Sequence, residues 1–310
     1  MPNAMSLPVN HRLYLALTRT PTHVGAGQGL DDIDLPVYRN TWGLPILPGS
    51  SFKGVLRQAA ADADGSDADT VQTLYGPDPK NAAKHAGMLA LQDARLLLLP
   101  VASLRGGWAW VTSAGLLWRY RRDAAAAGLA GLPQPPPALE PGAHRALVGQ
   151  SVSPLAMQVH GSTQAMLLEA ALTLSVSSTV AAWAAHLAAL AFPDDDAAWR
   201  SAFESRMVLV DDDTFMDFCR SGTKVRARVR LDENRVAVDG ALWREECVPA
   251  DSLFWGVFSA QLVPAAPAQL EPAEALRRVR PASLQLGGKA SVGYGWVDFL
   301  PQPGPQGQSA

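Results

Sequence analysis

A chain of 310 residues, 48% hydrophobic and 18% charged, has enough apolar material for a sizeable core and is too light in charge to be disordered as a whole. A formal net charge of −3 and a pI near 6.1 exclude a simple basic nucleic-acid coat, so any contact with RNA or DNA must come from a local basic face. The two cysteines, Cys219 and Cys247, give no CxxC pair and no disulfide framework, which fits a reducing cytoplasm and argues against structural zinc.

The opening MPNAMSLPVNHR lacks a charged start followed by an apolar run, so it does not read as a signal peptide. Residues 12–18, RLYLALT, form a short apolar run of strand formers that breaks at Pro21 into the loop THVGAGQGLDDIDLPVYRN. Its glycines match neither a Rossmann fingerprint nor a Walker loop, so nucleotide, metal and polyanion all remain open as its ligand. After LPILPG, residues 50–61 predict a helix with Ser50 or Ser51 at its cap. The first-turn amides, Ser50, Ser51, Lys53 and, one turn later, Arg57 then form a candidate phosphate cradle; an ordinary capped surface helix is the plain alternative.

DADGSDAD, residues 62–69, fails as a calcium loop because its glycine falls too early and no closing glutamate follows. Residues 87–101 predict two strands around Asp93 and Arg95, and RGGWAWVTS predicts a tight turn into a helix beginning near Ser113. Residues 121–154, rich in Ala, Gly and Pro, read as a mobile insertion. A strand near Leu172 and a buried helix over 179–192 follow; that stretch is too polar for a membrane span. After the acidic break at 193–196, RMVLVDDDTFMDFC predicts a strand turning into a short helix capped near Asp212 or Asp213.

KVRARVRLDENRVAVDG is the clearest periodic signal: apolar residues alternate with Arg226, Arg228 and Arg230, placing all three arginines on one strand face. DEN and VDG predict hairpin turns. With no matching acidic stripe, the arginine face reads as a phosphate-tracking ridge or as a solvated edge strand. SLFWGVFSAQL predicts a strand and residues 272–280 an amphipathic helix. GGKASVGYGW then offers Lys289 among glycines, including Gly288 and Gly293, that let backbone approach a polyanion closely; a tight hairpin is the plain reading. Scattered strands and helices without βαβ regularity predict an α+β fold. His23, Asp34, Glu245 and Glu246 are carboxylates and an imidazole without obvious structural duty, candidates for acid–base or cation chemistry or for loop capping.

TPTHVGAGQGLDDIDLPVYR, PILPGSSFKGVLR, GMLALQDARLLLLPVASLRGGWAWVTS, REECVPADSLFW and LQLGGKASVGYGW, in this order, resemble the RAMP superfamily of CRISPR-associated proteins. Within it they resemble the repeating backbone subunit of type III-B (Cmr) effectors. The match runs from about Leu13 to Val297. It implies a single domain over residues 1–310 with a modified ferredoxin-like (RRM-like) core and a thumb-like hairpin at about 222–250. It also implies stacking of copies along a guide RNA beside other Cmr subunits. Complementary single-stranded target RNA would be cut at regular intervals by a metal-dependent endoribonuclease using Mg²⁺ or Mn²⁺, leaving a 2′,3′-cyclic phosphate and a 5′-hydroxyl.

Carried over by motif, the aspartate of DLP falls on Asp34, the expected catalytic residue and metal ligand, and the histidine of TPxH falls on His23. The family's distal acid falls on Glu245, while Cys247 stands where a tyrosine is usual. YRNTW keeps Arg39 but lacks the family's acidic and histidine positions, so slower cleavage is expected. The RNA-binding set is Ser50, Ser51, Lys53, Arg57, Arg226, Arg228, Arg230, Gly288, Lys289 and Gly293. A non-catalytic guide-RNA scaffold and a type III-A backbone subunit are the alternatives.

Overall fold

In the first strand every residue from Leu13 to Thr18 is buried, which is what a continuous apolar run produces when it sits in the middle of a sheet covered on both faces. The computed structural model describes residues 10–304 apart from residues 28, 30, 31, 64 and 193–196; Asp31, the acidic break and both tails lie outside the described residues.

In chain order come β1 (His11–Thr18), β2 (Ile46–Leu47), α1 (Gly49–Asp62), α2 (Ala68–Tyr75), β3 (Leu89–Leu91), β4 (Ala94–Ser103), β5 (Gly107–Ser113) and α3 (Ala114–Ala126). Next are β6 (Arg145–Val148), β7 (Met157–Val159), β8 (Ser162–Leu167), β9 (Ala170–Val176), α4 (Ser178–Ala191), α5 (Ala197–Arg206), β10 (Met207–Val210) and α6 (Asp212–Ser221). The remainder holds β11 (Lys224–Leu231), β12 (Ala237–Cys247), β13 (Leu253–Ala260), α7 (Pro272–Arg278), β14 (Ala282–Gln285) and β15 (Trp296–Pro301).

Among the described residues one sheet runs β14-β15-β1-β13-β4-β5-β10-β6-β9-β8-β7, with β2 added to β4 and β3 to β13. The hairpin β11–β12 is a separate two-stranded sheet. β4 is long enough to serve two neighbours: its first half pairs with β13 and its second half with β5. Neighbours within β15-β1-β13-β4 are antiparallel, and helices α1 and α7 lie in the connections that leave β1 and β13. Tyr14, Phe52, Phe258 and Phe299 bring α1 onto this half, with ring centroids 4.8–6.3 Å apart. The α+β expectation holds.

Four local expectations are corrected. Neither Ser50 nor Ser51 caps α1; Pro48 occupies the cap position, and the Asp93 carboxylate accepts the Gly49 N–H at 2.9 Å instead. RGGWAWVTS is mostly strand β5, held between β4 and β10, although the helix does begin after Ser113. VDG makes no second hairpin, since Gly240 lies inside β12 with a left-handed φ of 68°. The Pro-rich stretch is packed and not loose: its carbonyls at Pro133, Gln134 and Pro136 accept from Arg121, Trp183 and Trp118, and Leu129, Leu132 and Leu139 pack on the core. β6, within the compositional bounds of that insertion, is a strand of the main sheet.

Candidate functional site

The loop of residues 19–45 closes along the base of the β11–β12 hairpin. β12 uses one edge for β11, placing Arg226 opposite Glu245, and the other edge for the loop. There Leu35 donates to the Arg244 carbonyl at 3.1 Å and accepts from the Glu246 N–H at 3.0 Å, while Thr22 and Val248 exchange a pair of backbone bonds at 2.9 Å. Asp34 is exposed, and one of its oxygens, Oδ2, accepts the Arg244 N–H at 2.7 Å. No described residue takes the other oxygen by hydrogen bond or ion pair. Arg244 and Glu246 of β12 thus fix the loop, Arg244 through Asp34 and Glu246 through its carbonyl, 2.7 Å from His23 Nδ1, while the Glu245 side chain between them faces the other side of the hairpin.

Because a carbonyl only accepts, Nδ1 of His23 is the donor in this contact. The imidazole is buried, 7% exposed, and Gly25 makes room for it: a Cβ there would lie 2.8 Å from Nε2. Gly287, with φ +83°, crosses the His23 backbone so closely that a Cβ would lie 2.1 Å from its carbonyl oxygen. The loop between β14 and β15 is thereby seated on the same residue.

Glu246 is the anchor under this arrangement. Its buried carboxylate accepts from the Val37 N–H at 2.9 Å and the Thr223 hydroxyl at 2.7 Å, and it pairs with Arg39. Glu245 is also buried, beneath a cover of long side chains: Lys289 Nζ at 2.6 Å, Trp243 Nε1 at 2.7 Å and Arg228 Nε at 3.2 Å. Burial opposes its charge, but the hydrogen bonds from Lys289 and Trp243, the Lys289 charge and Arg228 outweigh it and hold the carboxyl down at about 2. It is an anion at any ordinary pH. Tyr294 completes the cluster, its ring under the guanidinium groups of Arg226 and Arg228 at 5.3 and 5.5 Å and its hydroxyl accepting from Arg226.

The family model described as the RAMP superfamily matches residues 16–298. The chain belongs to the RAMP superfamily. The CRISPR system Cmr endoribonuclease Cmr4 of Pyrococcus furiosus is 31% identical over 285 residues, covering 90% of this chain and 92% of that one. The crystal structure of oligomeric Cmr4 from the same organism superposes with a TM-score of 0.71 at 24% identity, over 95% of this chain and 98% of that one. A type III-B Cmr-beta structure bound to cognate target RNA gives 0.69 at 19% identity, over 95% and 98%.

In this RAMP chain the structure gathers Asp34, His23, Glu245, Arg226, Arg228 and Lys289 at the hairpin base. The arginine ridge proves to be only partly free: Glu245 answers Arg228, a pairing hidden in the sequence because the two residues meet only through the β11–β12 register. Arg230 stays exposed further out, as do Gly288 and Gly293 on the loop after β14. Ser50, Ser51, Lys53 and Arg57 form a separate group on α1. There Arg57 is tied to the Pro77 carbonyl and Asp78, while burial and then the Arg57 charge pull the Lys53 ammonium below its ordinary value.

Residue types alone did not single out Trp243, Arg244 and Tyr294, and Glu246 carried no visible distinction from Glu245. Alternation along β12 is the one available signal, because it sends the two glutamates to opposite faces. Cys247 is fully buried, and burial with the nearby Glu245 charge pushes its thiol up, so it stays protonated as a packing residue. No helix among the described residues is long and apolar enough to cross a membrane.

Proposed function

We propose that this RAMP protein is the backbone subunit of a type III-B effector, binding guide RNA and cutting complementary target RNA beside the β11–β12 hairpin. In this reading β15-β1-β13-β4 with α1 and α7 is the ferredoxin-like core and the hairpin is the thumb. The observation that carries the proposal is Asp34: an exposed carboxylate with one oxygen clamped to β12 and the other open, beside a hairpin carrying arginines. The Cmr4 relative and the target-bound Cmr-beta structure support copies stacked with other Cmr subunits on guide and target RNA, and favour type III-B over type III-A.

The chemistry follows from that geometry. Asp34 takes the proton of a target 2′-hydroxyl; the 2′-oxygen forms a bond to the adjacent phosphorus, the bond to the 5′-oxygen breaks, and that oxygen leaves as a hydroxyl after gaining a proton from solvent. The clamp from Arg244 holds the carboxylate in place, and exposed cationic groups such as Arg230 attract the RNA backbone. His23 and Glu245, both buried, act as positioning residues for the loop and for the Arg228–Lys289 pair.

Among the described residues no three His, Cys, Asp or Glu side chains gather to hold a metal. Glu245 and Glu246, on the strand that holds Asp34, are saturated by other partners. These residues do not fit an ion held by protein groups alone, and the steps above use none. A divalent ion stays in the proposal as one arriving with RNA phosphates, with Asp34 the open carboxylate.

The absence of the family's acidic and histidine positions in YRNTW and the neutralised Glu245 favour, as the second reading, a scaffold that binds without cutting. Reconstitution with guide RNA and Cmr subunits separates the two. The wild type should give a ladder of regularly spaced cuts with added Mg²⁺, and Asp34→Ala should bind equally while the ladder disappears. A ladder unchanged in that variant rules out Asp34.

A further inference from the structure

Away from the hairpin, the turn after Arg39 holds an indole in water. Trp42 is 56% exposed, yet the turn beneath it is fully bonded: the Asn40 side-chain oxygen accepts the Trp42 and Leu44 N–H groups at 3.0 Å, and Gly43 and Asn40 bond across it at 2.9 Å. Gly43 takes φ +85°, which tightens the turn. Arg39 ties this turn to the site, donating to the Gly43 carbonyl at 2.7 Å while it pairs with Glu246. One face of the indole is covered by the Arg119 guanidinium, 4.1 Å from the ring centroid. Among the described residues no carboxylate pairs with Arg119, whereas neighbouring Arg95 and Arg122 share Asp123. Beside them opens a cavity of about 290 Å³.

A large aromatic face kept exposed on a rigid turn, polarised by an unpaired guanidinium and opening on a cavity, suits one ligand chemistry above others. It is a flat aromatic ring carrying a nearby phosphate, the unpaired nucleotide of a single strand. Trp42 follows Asp34 by eight positions in the same loop, so the chain between them spans at most about 28 Å. We propose that Trp42, backed by Arg119, is a stacking platform for an unpaired base of the bound RNA. The inference rests on the RNA-cutting reading above and adds a binding site to it.

The test uses the reconstituted complex with target RNAs carrying 2-aminopurine at successive positions. The wild type should quench the probe at a repeating position. Trp42→Ala should abolish that quench and weaken target binding about tenfold, the scale of one lost base stack. Trp42→Phe should restore both, and Arg119→Ala should give an intermediate loss. An Asp34→Ala complex, in which cutting alone is removed, should keep the quench. Quench and affinity unchanged in Trp42→Ala overturn the platform while leaving the RNA reading intact. If that variant instead alters only the self-association of the chain in sedimentation, the surface is a contact between copies and the proposal falls. A wild-type complex that binds no target overturns both readings.

Discussion

Replacing Glu246 with alanine should loosen the whole loop that presents Asp34. The buried carboxylate satisfies the Val37 N–H, the Thr223 hydroxyl and Arg39, whose side chain is 25% exposed. Breaking a buried ion pair by removing one partner costs about 3–5 kcal/mol, because the remaining charge and donors lose their acceptor. Water reaches the exposed quarter of Arg39, which puts the expectation near the lower end, about 3 kcal/mol. At about 2 °C per kcal/mol for a chain of this size, Tm should fall by about 6 °C. Urea unfolding followed by tryptophan fluorescence measures the first quantity and calorimetry the second.

Glu246→Ala combined with Arg39→Met removes the stranded charge as well, and the cycle should show a coupling of at least about 1 kcal/mol. Target cutting should drop in the single variant while guide binding persists, because Leu35 to Val37 lose their anchor and Asp34 moves. A Glu246→Ala protein that unfolds within about 0.5 kcal/mol of the wild type would refute the anchoring argument.

Gly25→Ala should slow target cutting without weakening guide binding, since a Cβ 2.8 Å from His23 Nε2 forces the pinned ring aside; equal single-turnover rates would contradict this. Gly287→Ala should destabilise by about 1–3 kcal/mol, as its φ of +83° and the His23 carbonyl 2.1 Å from the new Cβ leave no relaxed geometry; an unchanged urea midpoint counts against it. Burial holds the His186 imidazole down at about 4, beside the Tyr120 hydroxyl, so the unfolded chain takes up that proton first as pH falls. Its contribution to stability is complete above pH 6.5 and is lost progressively toward pH 4, and His186→Gln should flatten that part of the profile. Parallel profiles for variant and wild type would exclude His186 as the source.

Local pattern was enough wherever a segment's fate depends on its own periodicity. The run RLYLALT is apolar at every other position and more, and it became the buried β1; the alternation of arginines in KVRARVR placed them on one face of β11. Ordered motifs likewise carried the RAMP resemblance and pointed to Asp34. The packing of the Pro-rich stretch is invisible in its composition because proline and alanine say nothing about distant donors, and it is Trp118, Trp183 and Arg121 that bond its carbonyls. The serine cap expected of α1 fails for a similar reason, because the Gly49 N–H is met by Asp93 from another part of the chain.

Local pattern and motif order therefore suffice for the α+β class, the main strands and helices, the family, and the loop that brings the aspartate. Which charges remain available is set by folding. Glu245 and Glu246 are neighbours in the chain and chemically the same. Strand alternation sends one under Lys289, Arg228 and Trp243 and the other under Arg39, Thr223 and Val37. Asp34, clamped at one oxygen only, is left facing water, and its Arg244 partner, like the Arg39 partner of Glu246, is brought by folding from more than two hundred positions away, whereas the partners of Glu245 come from within forty-four.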